Sequence, residues 1–185
     1  MKVFDSHAHL DDNRYDADRD DVLERSLREL AGVVNPGTDL ADSQVAVRLA
    51  QRYEHVWAAV GFHPHEARLM QAGDEARLAE LASDPKVVAI GEIGLDYYYD
   101  HSPRDVQQAV LIRQLDLARQ LSLPVIVHDR DAHGDVMAII KREGKGLSGV
   151  FHCYSGSLEM AEELIKLGFY VSFGGPLTFN NAVKL

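Results

Sequence analysis

Val87-Val88-Ala89-Ile90-Gly91-Glu92-Ile93-Gly94-Leu95-Asp96-Tyr97 sets an apolar run, Val87 to Ile90, directly before a carboxylate flanked by glycines. The run is apolar on both faces, as a strand is when it lies buried between two layers. Glu92 would then sit in apolar surroundings at the carboxyl end of that strand, and an ionised carboxylate buried without a partner is very costly. A salt bridge is the ordinary remedy, but no basic residue lies in the strand. Divalent cations are the other remedy, because a carboxylate can present two oxygens to two ions.

The same pattern recurs outward from this stretch. Apolar runs near Val3 to Asp5, Gly32 to Asn35, Val56 to Gly61, Pro124 to Val127, Gly149 to Phe151 and Phe169 to Phe173 read as further strands. Between them lie segments of helical periodicity: Asp16 to Leu30, Asp39 to Tyr53, Asp74 to Leu81, Arg104 to Leu121, Asp131 to Glu143 and Ser157 to Leu167. Strand and helix alternating in this way predict repeated βα units and a parallel sheet. Gly32, Gly144 and Gly168 stand just past helices, where a left-handed residue is commonly needed, and Ser157 with Glu159 and Met160 reads as a helix start. The fold expected is a TIM-type (β/α) barrel with about seven parallel strands in one domain, residues 1–185. A closed barrel has eight strands and about 250 residues, so the eighth strand is expected to be missing from this sequence. Pro176 to Leu185 reads as the beginning of a seventh helix.

Composition narrows the class. The chain has 185 residues, 46% of them hydrophobic and 26% charged, which suits an ordinary globular protein. No apolar run approaches the roughly 18 residues of a membrane span, and the first residues lack a signal peptide's apolar stretch, so a cytoplasmic protein without a membrane partner is expected. A single cysteine excludes an internal disulfide framework and a thiolate metal cluster, leaving His and carboxylates as metal ligands. The formal charge of −10 argues against a broadly basic surface for duplex nucleic acid, although a local positive rim would suffice for a nuclease. Arg14, Arg68, Arg104 and Arg130 are candidates for that rim.

Chemistry-bearing side chains follow the strands directly: His7 and His9, His63 and His65, Glu92, His128, and His152. In a parallel barrel the carboxyl ends share one face, so residues distant in sequence converge there. His7 and His9 are two apart, and on an extended chain both can reach one ion. His128 and His152 taken singly read equally well as hydrogen-bonded core histidines; together they suit a second ion. Glu92 and His63 are the catalytic candidates. His63, His65, Arg130, Tyr154 and Ser155 are the candidate substrate contacts, with Arg130 suited to clamping a phosphate and His63 to bonding a phosphate oxygen or leaving group. Arg130 could instead pair with Asp129 or Asp131. Asp96 and Tyr97 are weaker candidates for orienting a histidine. Cys153 is expected to be a small buried residue pointing away from His152 by strand alternation.

Asp5-Ser6-His7-Ala8-His9-Leu10, Gly61-Phe62-His63-Pro64-His65, Gly91-Glu92-Ile93-Gly94-Leu95-Asp96-Tyr97, His128-Asp129-Arg130 and Phe151-His152-Cys153-Tyr154-Ser155-Gly156 resemble, in this order, the successive motifs of the TatD family of metal-dependent deoxyribonucleases. The resemblance implies a barrel hydrolase that trims single-stranded DNA from its 3′ end and acts in DNA repair or turnover. It implies two divalent ions, Zn, Mn or Mg, one held by His7 and His9, the other by His128 and His152, with Glu92 bridging. The family pattern also carries an aspartate after the eighth strand, which this sequence does not reach. Two other readings therefore stand beside the nuclease: a hydrolase of small esters or amides, and an inactive binding protein. Oligomeric state is open.

Overall fold

Seven strands run parallel to their neighbours in sequence order: β1 Val3–Asp5, β2 Leu30–Pro36, β3 Val56–Val60, β4 Val87–Asp96, β5 Val125–Arg130, β6 Gly149–Phe151 and β7 Phe169–Val171. The architecture is that of a computed structural model, which describes residues 2–180 and 182. Helices α1 Arg19–Glu29, α2 Leu40–Arg52, α3 Asp74–Leu81, α4 Arg104–Leu121, α5 His133–Glu143 and α6 Leu158–Lys166 fill the connections. Alternation divides the strands into two faces. Val33, Val56, Val60, Ile90, Val125, Val127 and Phe151 pack with the helices in the main core, while Val34, Ala59, Ala89 and Ile126 form a separate apolar cluster on the opposite, inner face.

The sheet is strongly curled. Between β1 and β6 lie five strand steps, about 24 Å in a flat sheet. Yet the rings of His7 and His152, just past those two strands, stack with centroids 3.8 Å apart. The result is the open, TIM-type arrangement of strands inside helices; among the described residues, β1 and β7 are the sheet's unpaired edges. No described helix is long and apolar enough to cross a membrane.

Several boundaries differ from expectation for physical reasons. β4 runs on to Asp96 because it keeps pairing with β5 past a register shift between Ile90 and Ile93. α1 begins at Arg19, preceded by a short 3-10 turn at Asn13–Tyr15, and β2 follows it at once from Leu30. Gly32 therefore lies inside a strand, where a side chain would run into the Trp57 ring. Gly144 closes α5 at φ −85°, and of the three glycines only Gly168, at φ +93°, takes the left-handed conformation. Pro176 to Leu185 opens with a 3-10 turn at Gly175–Thr178; Asn181 and residues 183–185 lie outside the described residues.

Candidate metal centre

Period-two alternation carries the inner face of each strand to the site. In β5, Ile126 points inward, so His128 does too; in β6, Val150 does, so His152 follows one residue beyond the strand. β4 would break this rule, since Glu92 shares its parity with the helix-facing Ile90. The irregularity between Ile90 and Ile93 turns Glu92 to the inside. Gly94, at φ +149°, lets β4 lie against β5 there: any Cβ would collide with the His128 carbonyl. At the end of β1, His7 N–H bonds Asp5 Oδ1 at 3.0 Å, and Ala8 N–H bonds Val34 O at 3.0 Å. Fully buried Asn35 accepts from Leu10 N–H at 2.5 Å and Asp11 N–H at 3.2 Å, securing the turn that carries His9.

Glu92 is 2% exposed and lies at the centre of the histidines. Its Oε2 is 3.3 Å from His7 Nε2 and 3.6 Å from His9 Nε2, and these two nitrogens are 3.1 Å apart. Its Oε1 is 2.9 Å from His128 Nδ1, 2.5 Å from His152 Nε2 and 3.7 Å from His63 Nε2. Ligand atoms around a tetrahedral zinc stand about 3.4 Å apart, given bonds of about 2.0–2.2 Å. The Oε2 cluster has that spacing. The Oε1 contacts to His128 and His152 are shorter than that spacing, at hydrogen-bond lengths. Among the described residues, His7 Nδ1 is buried without a hydrogen-bond partner. Two overlapping sets, His7, Glu92 and His152, and His63, Glu92 and His128, have donor atoms close enough to hold a metal ion. The stacking of His7 on His152 thus groups the side chains differently from the pairs implied by the TatD resemblance, while each Glu92 oxygen still faces one of those pairs.

The electrostatics follow from burial. Desolvation lowers His7 and His63 to about 3, leaving both rings neutral near pH 7. Burial also acts against the imidazolium of His128, but Asp96 and Glu92, one on each ring nitrogen, raise it to about 9. Burial would lift Glu92, yet the surrounding imidazoles of His152, His7 and His128 hold it well below the usual carboxylate range. His9 is likewise raised: burial acts against its imidazolium, but Glu92 favours it.

Asp96, fully buried, organises the second layer. Its Oδ2 lies 3.0 Å from His128 Nε2 and 2.8 Å from His65 Nε2. A carboxylate on one nitrogen of a histidine fixes the ring and leaves the other nitrogen to face a metal. His63 behaves differently. Its Nδ1 accepts the His65 backbone N–H at 3.2 Å, so the neutral ring carries its proton on Nε2 and is a donor toward the Glu92 side.

The remaining candidates divide. Arg130 makes no salt bridge among the described residues; Asp129 is held by His133 at 2.7 Å instead. Arg130, Ser155, His128 and His152 border a cavity of about 440 Å³. Tyr154 is buried, with its hydroxyl donating to Ser157 O at 2.6 Å, so it buttresses α6 rather than facing that cavity. Tyr97 orients no histidine; its hydroxyl bonds Asp135 at 2.7 Å. Cys153 is exposed, because the strand stops at Phe151 and Cys153 sits at φ +47° in a turn where alternation no longer applies. Arg14 and Arg104 pair with Asp12 at 2.8 Å and Asp100 at 2.7 Å, so neither lends free charge to a rim. Asn35 is a site residue that the apolar pattern does not single out; the signal is a polar residue ending Val33-Val34-Asn35.

Residues 4–185 match the family described as TatD related DNase. A Bacillus subtilis protein named uncharacterized metal-dependent hydrolase YabD is 45% identical over 184 residues, covering 98% of this chain and 72% of that protein. The protein of Escherichia coli K12 named 3'-5' ssDNA/RNA exonuclease TatD is 36% identical over 175 residues, 94% of this chain and 67% of its own length. The crystal structure of YJJV, a TatD homologue from Escherichia coli K12, superposes with a TM-score of 0.86 at 32% identity, covering 96% of this chain and 70% of that one. With the family model matching residues 4–185 and these relatives covering nearly its whole length, the chain belongs to the TatD related DNases, hydrolases that act on ester bonds.

Proposed function

We propose that the chain hydrolyses phosphodiester bonds at the 3′ ends of single-stranded DNA, with two divalent cations, Zn, Mn or Mg, held by His7 and His9 on one side of Glu92 and by His128 and His152 on the other. The observation that carries this reading is the division of labour on Glu92, whose two oxygens face two different histidine pairs. Such a carboxylate can bridge paired ions. Cations bound there supply Lewis acidity, which activates water and offsets charge on the phosphoryl oxygens.

The chain's own residues supply the rest. Asp96 keeps His128 oriented with Nδ1 toward Glu92. His63 presents an Nε2 proton toward the site, placed to donate to a phosphoryl or leaving oxygen. Arg130, at the cavity beside His128 and His152, offers a planar fork to a phosphate. The relative named for 3'-5' exonuclease action on single-stranded DNA and RNA supports the choice of strand form and polarity.

The test follows the lengths of a 5′-labelled single strand incubated with the Mn- or Zn-loaded chain. Progressive shortening from the 3′ end is expected, abolished by EDTA and by Glu92→Gln. Hydrolysis of small carboxylic esters with strands left intact would favour the small-ester reading instead. A folded, metal-loaded chain that cleaves neither substrate overturns the proposal.

A further inference from the structure

Three tyrosines follow Asp96 in a row and take different environments. Tyr97 turns inward, its hydroxyl bonded to Asp135 and its ring under Arg104 at 4.3 Å. Tyr98 and Tyr99 turn outward and are 58% and 50% exposed. Such rings on a loop lose side-chain entropy when held still, so what holds them is informative. Asp96 Oδ1 accepts both backbone N–H groups, from Tyr98 at 3.1 Å and from Tyr99 at 2.9 Å. The same carboxylate grips His65 and His128 through Oδ2. The tyrosine turn is therefore tied to the candidate metal centre by a single buried side chain.

Arg130 completes the arrangement. Its guanidinium lies 4.1 Å from the centre of the Tyr98 ring and 4.7 Å from that of Tyr99. Among the described residues it has no carboxylate partner, so its charge is met by aromatic faces alone. Tyr99 is already clasped: His101 stacks parallel to it at 5.5 Å and 10°, and His65 meets it edge-on at 5.4 Å. Among the described residues, the aromatic and cationic partners of Tyr98 are Arg130 and the edge-on ring of Tyr99, at 4.8 Å. Burial explains Tyr97 and packing explains Tyr99. Neither accounts for Tyr98.

We infer that Tyr98, with Arg130, forms a stacking subsite for one unpaired nucleobase of a strand whose phosphate lies at the metal centre; the inference rests on the phosphodiester reading above. An aromatic face beside a guanidinium accepts any base through its π surface, without reading its edge. The Arg130 fork remains available to an adjoining phosphate. A base paired within a duplex has both faces occupied by its neighbours, so the subsite takes single strands.

The test compares kcat/KM of the Mn-loaded chain on a 5′-labelled oligothymidylate and on the same strand made abasic at its 3′-terminal positions. Tyr98→Ala is expected to lower kcat/KM on the intact strand by about 5- to 160-fold, the range of one lost base stack. The abasic strand should be cleaved equally by parent and variant. Tyr98→Trp should keep the parent rate, and its added indole emission should be quenched by the strand. The exposure of Tyr98 makes unfolding an unexpected complication, and a melting curve on each variant checks it. Equal losses on both strands, or no loss on either, overturn the subsite. A parent that trims intact and abasic strands alike removes the stacking inference and leaves the phosphodiester reading standing, whereas a parent that trims neither removes both.

Discussion

Asp96 shows how much one buried side chain decides at the residue scale. It binds two histidines with one oxygen and two backbone N–H groups with the other. Asp96→Asn replaces an acceptor oxygen by an NH2 group, which can no longer accept a ring N–H from His65 or His128 and so removes the carboxylate that sets the His128 tautomer. Removing such an outer partner of a metal-binding histidine lowers metal affinity or activity by about 10- to 100-fold. Titration calorimetry with Zn should show that loss, with far-UV circular dichroism unchanged. Gly94 is the second such residue. Gly94→Ala must push β4 away from the His128 carbonyl, and a backbone clash in a packed sheet costs roughly 1–3 kcal/mol or more. A lowered Tm that Zn cannot restore is expected. The sequence made Glu92 conspicuous because a carboxylate among glycines and apolar residues demands a partner. It left Asp96 as a weak candidate, since an aspartate closing Leu95-Asp96-Tyr97 reads equally as the start of a loop.

At the scale of elements, strand identity was legible from apolar runs, and strand ends were not. β4 reads as four residues on composition, because glycines at 91 and 94 and two acidic residues look like a loop. The register shift permits those residues to remain paired and turns Glu92 inward, something periodicity alone cannot foretell. Helix starts were legible where a cap exists, as at Ser157, whose hydroxyl accepts the Met160 N–H at 3.3 Å. They were misplaced at α1 and α5, which lack a side-chain cap, although α3 and α4, equally uncapped but preceded by Gly73 and Pro103, begin where expected. The α3–α4 contact carries a testable ion pair, Arg113 Nε to Glu75 Oε1 at 2.6 Å. The hydrogen bond to Arg113 holds Glu75 below its ordinary value. A carboxylate depressed in the fold stabilises above its unfolded pKa and loses that contribution as pH falls through the folded value. Both side chains are about one-third exposed, so screening limits the pair to about 0.2–1 kcal/mol. In urea melts, a Glu75→Gln and Arg113→Gln double-mutant cycle should show this coupling at pH 7, diminishing below about pH 4.

For the whole molecule, the convergence of side chains on one rim was readable because parallel strands share a carboxyl end, and nothing subtler was required. The stacking of His7 on His152 was not, since it depends on how far the sheet curls. If the rim binds metal, the ion is linked to folding: Tm should rise with Zn concentration, by about 2.7 kcal/mol of added stability at a hundred times Kd. Calorimetric scans across a Zn series check this, and a Tm independent of metal would separate the fold from the site. The unbroken strand order, β1 through β7, has a consequence for synthesis as well. A chain leaving the ribosome amino end first meets each new strand's partner already made, so the sheet can lengthen at one border as translation proceeds. His152 emerges only after β6, however, and until then His7 lacks the ring it stacks against. A nascent chain halted before Gly149 would hold Glu92 without His152, and so without one of the imidazoles that face its Oε1.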